Sequence, residues 1–369
     1  MIEVEPILLQ IPLEAPLRLR PSHEPVSSLP LCLVRVSGDD ATSYGEALLD
    51  DPYLLAETVD FFADAVANGN PRDFGLLWQR MMGLVHEYEP EPAHDFVATL
   101  GAIDTALWDL AGRALGVPCY QLAGGARARQ VDCYASGLFA DDPELAERTK
   151  LLRQRFSSIE LSLSGELEQD LAAIKTLRRA AGDQAPLLVD GDGQYDDIEQ
   201  ARAIAQALEV IEGFWFAEPL PALRWDDYRA LRTAVAPALV ADKHIFDLRD
   251  YRQALQAEAL DVAVGDIRVC GGMSGGQRLA QLAWLHGARA TFHCDLSPLA
   301  RVAAAHLVAA NANAGPIQVR PKRTPLMEMV EPVPFFENGF LKVPQEPGLG
   351  VQVSEGFISK YRVELPEDE

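Results

Sequence analysis

The sequence is short of positive charge. Its 369 residues carry 32 Lys and Arg against 55 Asp and Glu, a formal charge of −23. A surface of that sign repels phosphate backbones, which argues against a nucleic-acid partner. Long apolar runs are missing as well. None approaches the roughly 18 uncharged residues of a membrane-spanning helix, and no signal-peptide pattern opens the chain. No membrane partner is expected, and a cytoplasmic location is. Cysteine is scarce: Cys32, Cys119, Cys133, Cys270 and Cys294 form an odd set without a CxxC pair. That argues against a disulfide framework or a structural zinc site, and for five buried thiols in a reducing compartment.

What is present is bulk apolar content, at 48% of residues, enough for one large core or two ordinary ones. Strand-like stretches come first, at Ile2–Leu9 and Leu31–Val36. Helical patterns follow over Leu54–Val66 and Phe96–Leu115. The second sets Ile103, Leu107 and Leu110 on one face and is stopped by Gly116-Val117-Pro118. This beginning reads as an α+β unit.

Near residue 130 the pattern changes to short apolar runs between helical stretches. The runs are Val131–Ala135, Ile159–Leu163, Leu187–Val189, Phe214–Ala217, Leu239–Ala241, Val262–Val264, Ala290–Phe292 and Pro316–Val319. Helices over Leu167–Ala181 and Ile198–Leu208 lie between them. A spacing of about 25–28 residues fits one strand, one helix and two loops per unit. Eight such units predict a parallel barrel, with an open doubly wound sheet as the alternative. Asp190, Asp242, Asp266 and His293 stand where strands end, with Glu218 close by. In a barrel these ends converge on one face and would form one site; singly, each would do no more than cap the next helix.

Several fragments then fall into a recognisable order. They are Tyr44-Gly45-Glu46-Ala47, the run from Ala102 through Asp104, Trp108 and Asp109 to Leu110, Gln121-Leu122-Ala123-Gly124-Gly125, Leu188-Val189-Asp190, Gly271-Gly272-Met273 and Pro347-Gly348-Leu349-Gly350-Val351. Taken together they resemble the enolase superfamily, in particular the relatives of mandelate racemase and muconate lactonizing enzyme. The resemblance implies an α/β fold: a modified TIM barrel, (β/α)₇β, under an α+β capping domain built from the N-terminal segment and the C-terminal tail. The expected division is residues 1–128 for the cap, 129–325 for the barrel and 326–369 for the returning segment. It also implies abstraction of a proton alpha to a carboxylate, with Mg²⁺ stabilising the enediolate, and a homo-oligomer. The proton is too weakly acidic for a side-chain base unless the developing dianion is stabilised.

Carried over by position, the match is uneven. Asp190 falls on the first metal ligand, and Asp192 where relatives often carry Asn, as a substrate-binding position. Ala217 occupies the second ligand position, which leaves the adjacent Glu218 to substitute against the alternation of a strand. Asp242 stands for the third ligand, and Lys243 where relatives place an acid, so this lysine is a candidate for a fixed positive charge in place of the metal. The family's two basic residues on barrel strand two are here Glu160 and Ser162, which become substrate-facing candidates. Asp266 and His293 match the dyad of mandelate racemase-like members, with the imidazole as acid or base and the carboxylate orienting it. Arg18, Arg20 and His23 lie in the expected capping loop over a small carboxylate substrate. Loss of both strand-two bases favours dehydration over two-base racemisation of a hydroxy acid, sugar acid or amino acid. The alternative is a non-catalytic family member that binds a small acid, its metal site and strand-two bases lost.

Overall fold

The structure, a computed structural model, describes residues 1–21, 23–38, 41–241, 245–334 and 336–364. Three long strands open the chain: β1 (Glu3–Leu17), β2 (Val26–Gly38) and β3 (Ala41–Ala47), antiparallel in sequence order. The short strand Arg362–Val363 adds to the free edge of β1 at Leu8 and Leu9, so both chain ends build the same sheet. Among the described residues no helix is long and apolar enough to cross a membrane.

All eight expected barrel strands form: β4 (Gln130–Phe139), β5 (Ser158–Ser162), β6 (Leu187–Asp190), β7 (Trp215–Ala217), β8 (Ala238–Ala241), β9 (Val262–Asp266), β10 (Arg289–His293) and β11 (Ile317–Val319). Neighbours pair in parallel from β4 to β10, and β11 pairs with β4. A bridge between Ala290 and Ala314 closes the ring, which excludes the open sheet. Inside it pack Tyr134, Leu188, Trp215, Val240 and Val264. The helices over Leu167–Ala181 and Ile198–Val210 lie where the sequence placed them. A helix over Phe74–Tyr88 was not anticipated. All five cysteines are free and buried.

The helix Ala93–Leu115 joins the two parts. It ends at Gly116, whose φ of 70° suits a residue without a Cβ. Every residue from Asp95 to Gly112 is buried, beyond the single apolar face expected. The cause is that this helix is covered on one side by the sheet and on the other by the barrel. Its backbone approaches both closely. A Cβ on Gly45 of β3 would fall 1.8 Å from the Ala102 carbonyl oxygen, and one on Gly101 would lie 2.5 Å from the Gly272 nitrogen.

Polar groups pin the same seam. Asp104 accepts from the backbone N–H of Ser274 at 2.7 Å, at the start of the helix Gly272–Leu285, and burial pushes its carboxyl up to about 7. Trp78 and Trp108 donate to the Gly271 carbonyl and the Ser274 hydroxyl, each at 2.8 Å. Asp109 accepts from Ser43 at 2.5 Å and from the Leu349 N–H at 2.6 Å. That contact ties the Pro347–Val351 fragment to the helix. Farther along the seam, Glu46 at the end of β3 accepts from Arg268 at 3.3 Å and from Ser297.

Two consequences can be measured by urea unfolding. Gly45→Ala has no room and is expected to cost at least about 3 kcal/mol. Gly83→Ala, in an exposed helical position with nothing within 4 Å of the new Cβ, is expected to stabilise by about 0.5–1 kcal/mol. A similar effect from both would show that the sheet and helix do not touch as described. Arg268→Met leaves buried carboxylates without their partner and is expected to cost about 3–5 kcal/mol. Adding Glu46→Met removes one of those carboxylates, so the double variant must be more stable than the two single losses summed.

Candidate active site

The barrel register brings the expected residues to one end. Ser162, Asp190 and Ala217 stand side by side on β5, β6 and β7, and Asp266 pairs with His293 on β9 and β10. The cavity above them, about 470 Å³, is roofed by residues 29–31 and 46–50 of the capping sheet. Glu160, Ser162, Asp190, Asp266 and His293 line it, with Arg20 and His23 at the rim. Asp242 and Lys243 lie outside the described residues.

Ala217 is buried among the apolar side chains within the barrel. It offers no ligand atom, so the strand itself supplies nothing at that position. Glu218 nevertheless brings its carboxylate to Asp190, although strand alternation argued against it. β7 has ended, and Glu218 takes a φ of 45°, in the left-handed region, which frees its side chain from the pleat. Its backbone is held on both sides, donating to the Val240 carbonyl at 2.9 Å and accepting from the Gly193 N–H at 3.0 Å. Carboxylate oxygens of Asp190, Asp192 and Glu218 all lie within 4.8 Å of one another. Asp192 therefore joins the acidic cluster, which meets the cavity at Asp190. Its φ of 50° and its N–H bond to Asp190 Oδ1 at 2.9 Å make the turn that brings it there.

This donor set fits a small divalent cation. Carboxylate oxygens are the hard ligands Mg²⁺ prefers, and a separation up to 4.8 Å admits oxygens arranged about one ion.

His293 is buried at the end of β10. Asp266, expected to orient the imidazole, stands beside His293 in the sheet and gives both oxygens to Arg268: Nε and the backbone N–H reach Oδ1 at 3.0 and 2.9 Å, and Nη2 reaches Oδ2 at 2.7 Å. The physical reason is proximity, since a guanidinium two residues away closes a bidentate pair with Asp266. Burial would raise the Asp295 carboxyl, but the charges of Arg320, His293 and Arg268 hold it below the ordinary value. Burial also raises the Glu46 carboxyl, partly offset by Arg268 and Ser297.

Arg18 lines a neighbouring cavity of about 770 Å³. It forms a bidentate pair with Asp141 at 2.7 and 2.8 Å and covers the Phe139 ring. Arg320 completes this latch, donating to Asp295 at 2.8 Å and to the carbonyls of Arg18 and Leu19 at 2.8 and 2.9 Å. Sequence reasoning missed Glu46, Arg268, Asp295, Ser297, Gln318 and Arg320, all of which line the cavity. The available signal was a charged residue inside or just beyond an apolar strand end, as at Glu46 and Arg320.

Two family signatures match the chain. The Mandelate racemase / muconate lactonizing enzyme N-terminal domain covers residues 12–124, and the Enolase C-terminal domain-like signature covers 144–357. The D-galactarolactone cycloisomerase of Agrobacterium fabrum (strain C58) is 28% identical over 357 residues, covering 90% of this chain and 92% of its own. The D-gluconate dehydratase of Thermoproteus tenax is 27% identical over 359 residues, covering 91% and 70%. Among solved structures, the 3,6-anhydro-D-galactonate cycloisomerase from Zobellia galactanivorans superposes with a TM-score of 0.86 at 26% identity, over 98% of this chain and 99% of that one. A racemase from Streptomyces coelicolor A3(2) with bound magnesium gives 0.86 at 22% identity, over 98% and 100%, and bears on the fold alone. With one signature over the cap and the other over most of the barrel, the chain belongs to the enolase superfamily, as an enzyme of its mandelate racemase and muconate lactonizing enzyme group.

Proposed function

We propose that this enzyme removes the proton alpha to the carboxylate of a small sugar acid or related hydroxy acid, with His293 as the base, and completes a dehydration. The observation that carries the reading is the arrangement around one cavity. A histidine on β10 stands across the ring from Asp190 on β6, which belongs to a cluster of three carboxylates. The relatives named above, which act on sugar acids and their lactones, support the substrate class. They also disfavour the non-catalytic alternative.

Asp190, Asp192 and Glu218 would hold Mg²⁺. When bound, the ion supplies positive charge against the enediolate. The remaining work belongs to side chains of this chain. His293 takes the alpha proton, and the C–H electron pair moves into the carboxylate. The pair then returns to form the double bond as the beta C–O bond breaks, and His293 gives its proton to the departing hydroxyl as water. One imidazole thus serves both steps, in keeping with Glu160 and Ser162 standing where a second base would be needed for racemisation. Arg268 holds Asp266 beside the imidazole, and the cap over residues 46–50 excludes water from it.

Incubation with aldonates in D₂O tests the chemistry. Deuterium is expected at the alpha carbon, or the dehydrated product, and His293→Asn should reduce either by at least about 10³-fold. Unchanged turnover in that variant would remove His293 from the role. Metal-stripped protein should melt higher with Mg²⁺, by about 2.7 kcal/mol of added stability at a hundred times Kd. Glu218→Gln combined with Asp192→Asn should abolish that shift. A shift that survives both substitutions would place the ion elsewhere.

A further inference from the structure

We infer that Gln318 and Ser136 are specificity-determining residues, which require hydroxyl groups on the substrate chain beyond the reacting carbon. This rests on the reading of the cavity as the acid-binding site.

Both residues line the 470 Å³ cavity and are only 4% and 3% exposed. Neither Gln318 Oε1 nor Ser136 Oγ has a hydrogen-bond partner. A buried polar atom left unpaired is costly, and where its residue lines a cavity a ligand can relieve that cost. The polarity of the Gln318 amide is fixed by its neighbour. Its Nε2 donates to Glu160 Oε2 at 3.1 Å, which leaves Oε1, an acceptor, as the unpaired atom. An acceptor there demands a donor from the ligand. A hydroxyl satisfies it, whereas a methylene, an ether or a ketone at the same carbon does not. Ser136 can donate or accept, so it suits an adjoining hydroxyl of either orientation.

Register places these groups together. Val319 of β11 pairs with Ala135 of β4, and Ala135 pairs with Ile159 of β5, so Gln318, Ser136 and Glu160 occupy three neighbouring strands. This arc of the ring runs between His293 on β10 and Asp190 on β6, on the side away from Asp266. A substrate with its reacting carbon at His293 would lay the rest of its chain along the arc. Ser136 and Arg320 also line a second cavity of about 770 Å³, so there is room for the chain to extend.

The test is equilibrium binding by calorimetry, independent of turnover. The probes are D-gluconate and D-galactonate, compared with 2-hydroxyhexanoate, which keeps the acid end and the 2-hydroxyl but lacks the chain hydroxyls. At least one aldonate should bind about tenfold or more tightly than 2-hydroxyhexanoate. Gln318→Met should erase that preference, and Ser136→Ala should reduce it several-fold while leaving the melting temperature unchanged, since Ser136 Oγ holds no internal hydrogen bond. Aldonates binding no better than 2-hydroxyhexanoate would overturn the inference, as would a preference that survives both substitutions. Selective binding lost in the variants, but without alpha-proton exchange by the wild type, would leave the selection standing and remove the proposed chemistry. Exchange with an unaltered preference would do the reverse.

Discussion

The buried guanidinium of Arg268 is the interaction on which the rest of the site depends. It holds Asp266 at the end of a barrel strand and, through Glu46, the last residues of the capping sheet. Its own backbone carbonyl accepts from the Leu48 N–H at 3.2 Å. One side chain thus sets the height of the roof over His293. A charge in such a place is tolerated only because both carboxylates meet it. The cost of this arrangement is visible in Glu46, whose carboxyl is shifted upward by burial despite its partners. Hydrophobic packing alone could hold the cap to the barrel, but it would not fix the height of the roof so closely, because it is non-directional.

The acidic cluster shows how a backbone change can supply a carboxylate where a strand offers none. Ala217 points its methyl into the barrel, and the carboxylate comes from the next residue by a left-handed turn at Glu218. Such a conformation carries strain for a residue with a Cβ. Here the surrounding backbone bonds, from Val240 on one side and Gly193 on the other, hold it in place. Gly191 contributes by its small size, since a Cβ there would lie 2.7 Å from the Glu218 carbonyl oxygen. The turn after β6 and the turn after β7 are therefore one packed unit, and the cluster forms where they meet.

Much of this was legible in the sequence. The eight barrel strands were visible because each is a short apolar run fully buried in a parallel ring, bounded by polar residues. The positions of Asp190, Asp266 and His293 followed from the same rule, because a strand's last residue faces the cavity. What was not legible depends on contacts between distant segments. Nothing in the sequence indicates that Glu46 would arrive from the other end of the chain, or that Arg268 would bridge it to Asp266 two residues away. The pairing of Arg18 with Asp141, from a distant segment, could not be read from the loop alone. Glu218 was doubted because alternation governs a strand, and the strand stops one residue earlier.

The charge around the cavity constrains what can bind there. Among the described residues the wall contains six carboxylates against three guanidinium groups, and Asp192 and Glu218 stand close behind. Some of these acids are neutralised in pairs, Asp266 by Arg268 and Asp295 by Arg320. Asp190 and Glu160 lie on the arc that an anionic substrate would occupy. The net charge of the whole chain matters less than this local excess, since at physiological ionic strength charges beyond about 8 Å are largely screened. A carboxylate ligand entering such a wall needs added positive charge within a few ångströms. A divalent ion on Asp190, Asp192 and Glu218 would provide it in a position adjoining the cavity and would reverse the sign that such a ligand meets. On the proposed function the three carboxylates would then serve two ends: they would hold the ion, and by holding it they would cease to repel the acid.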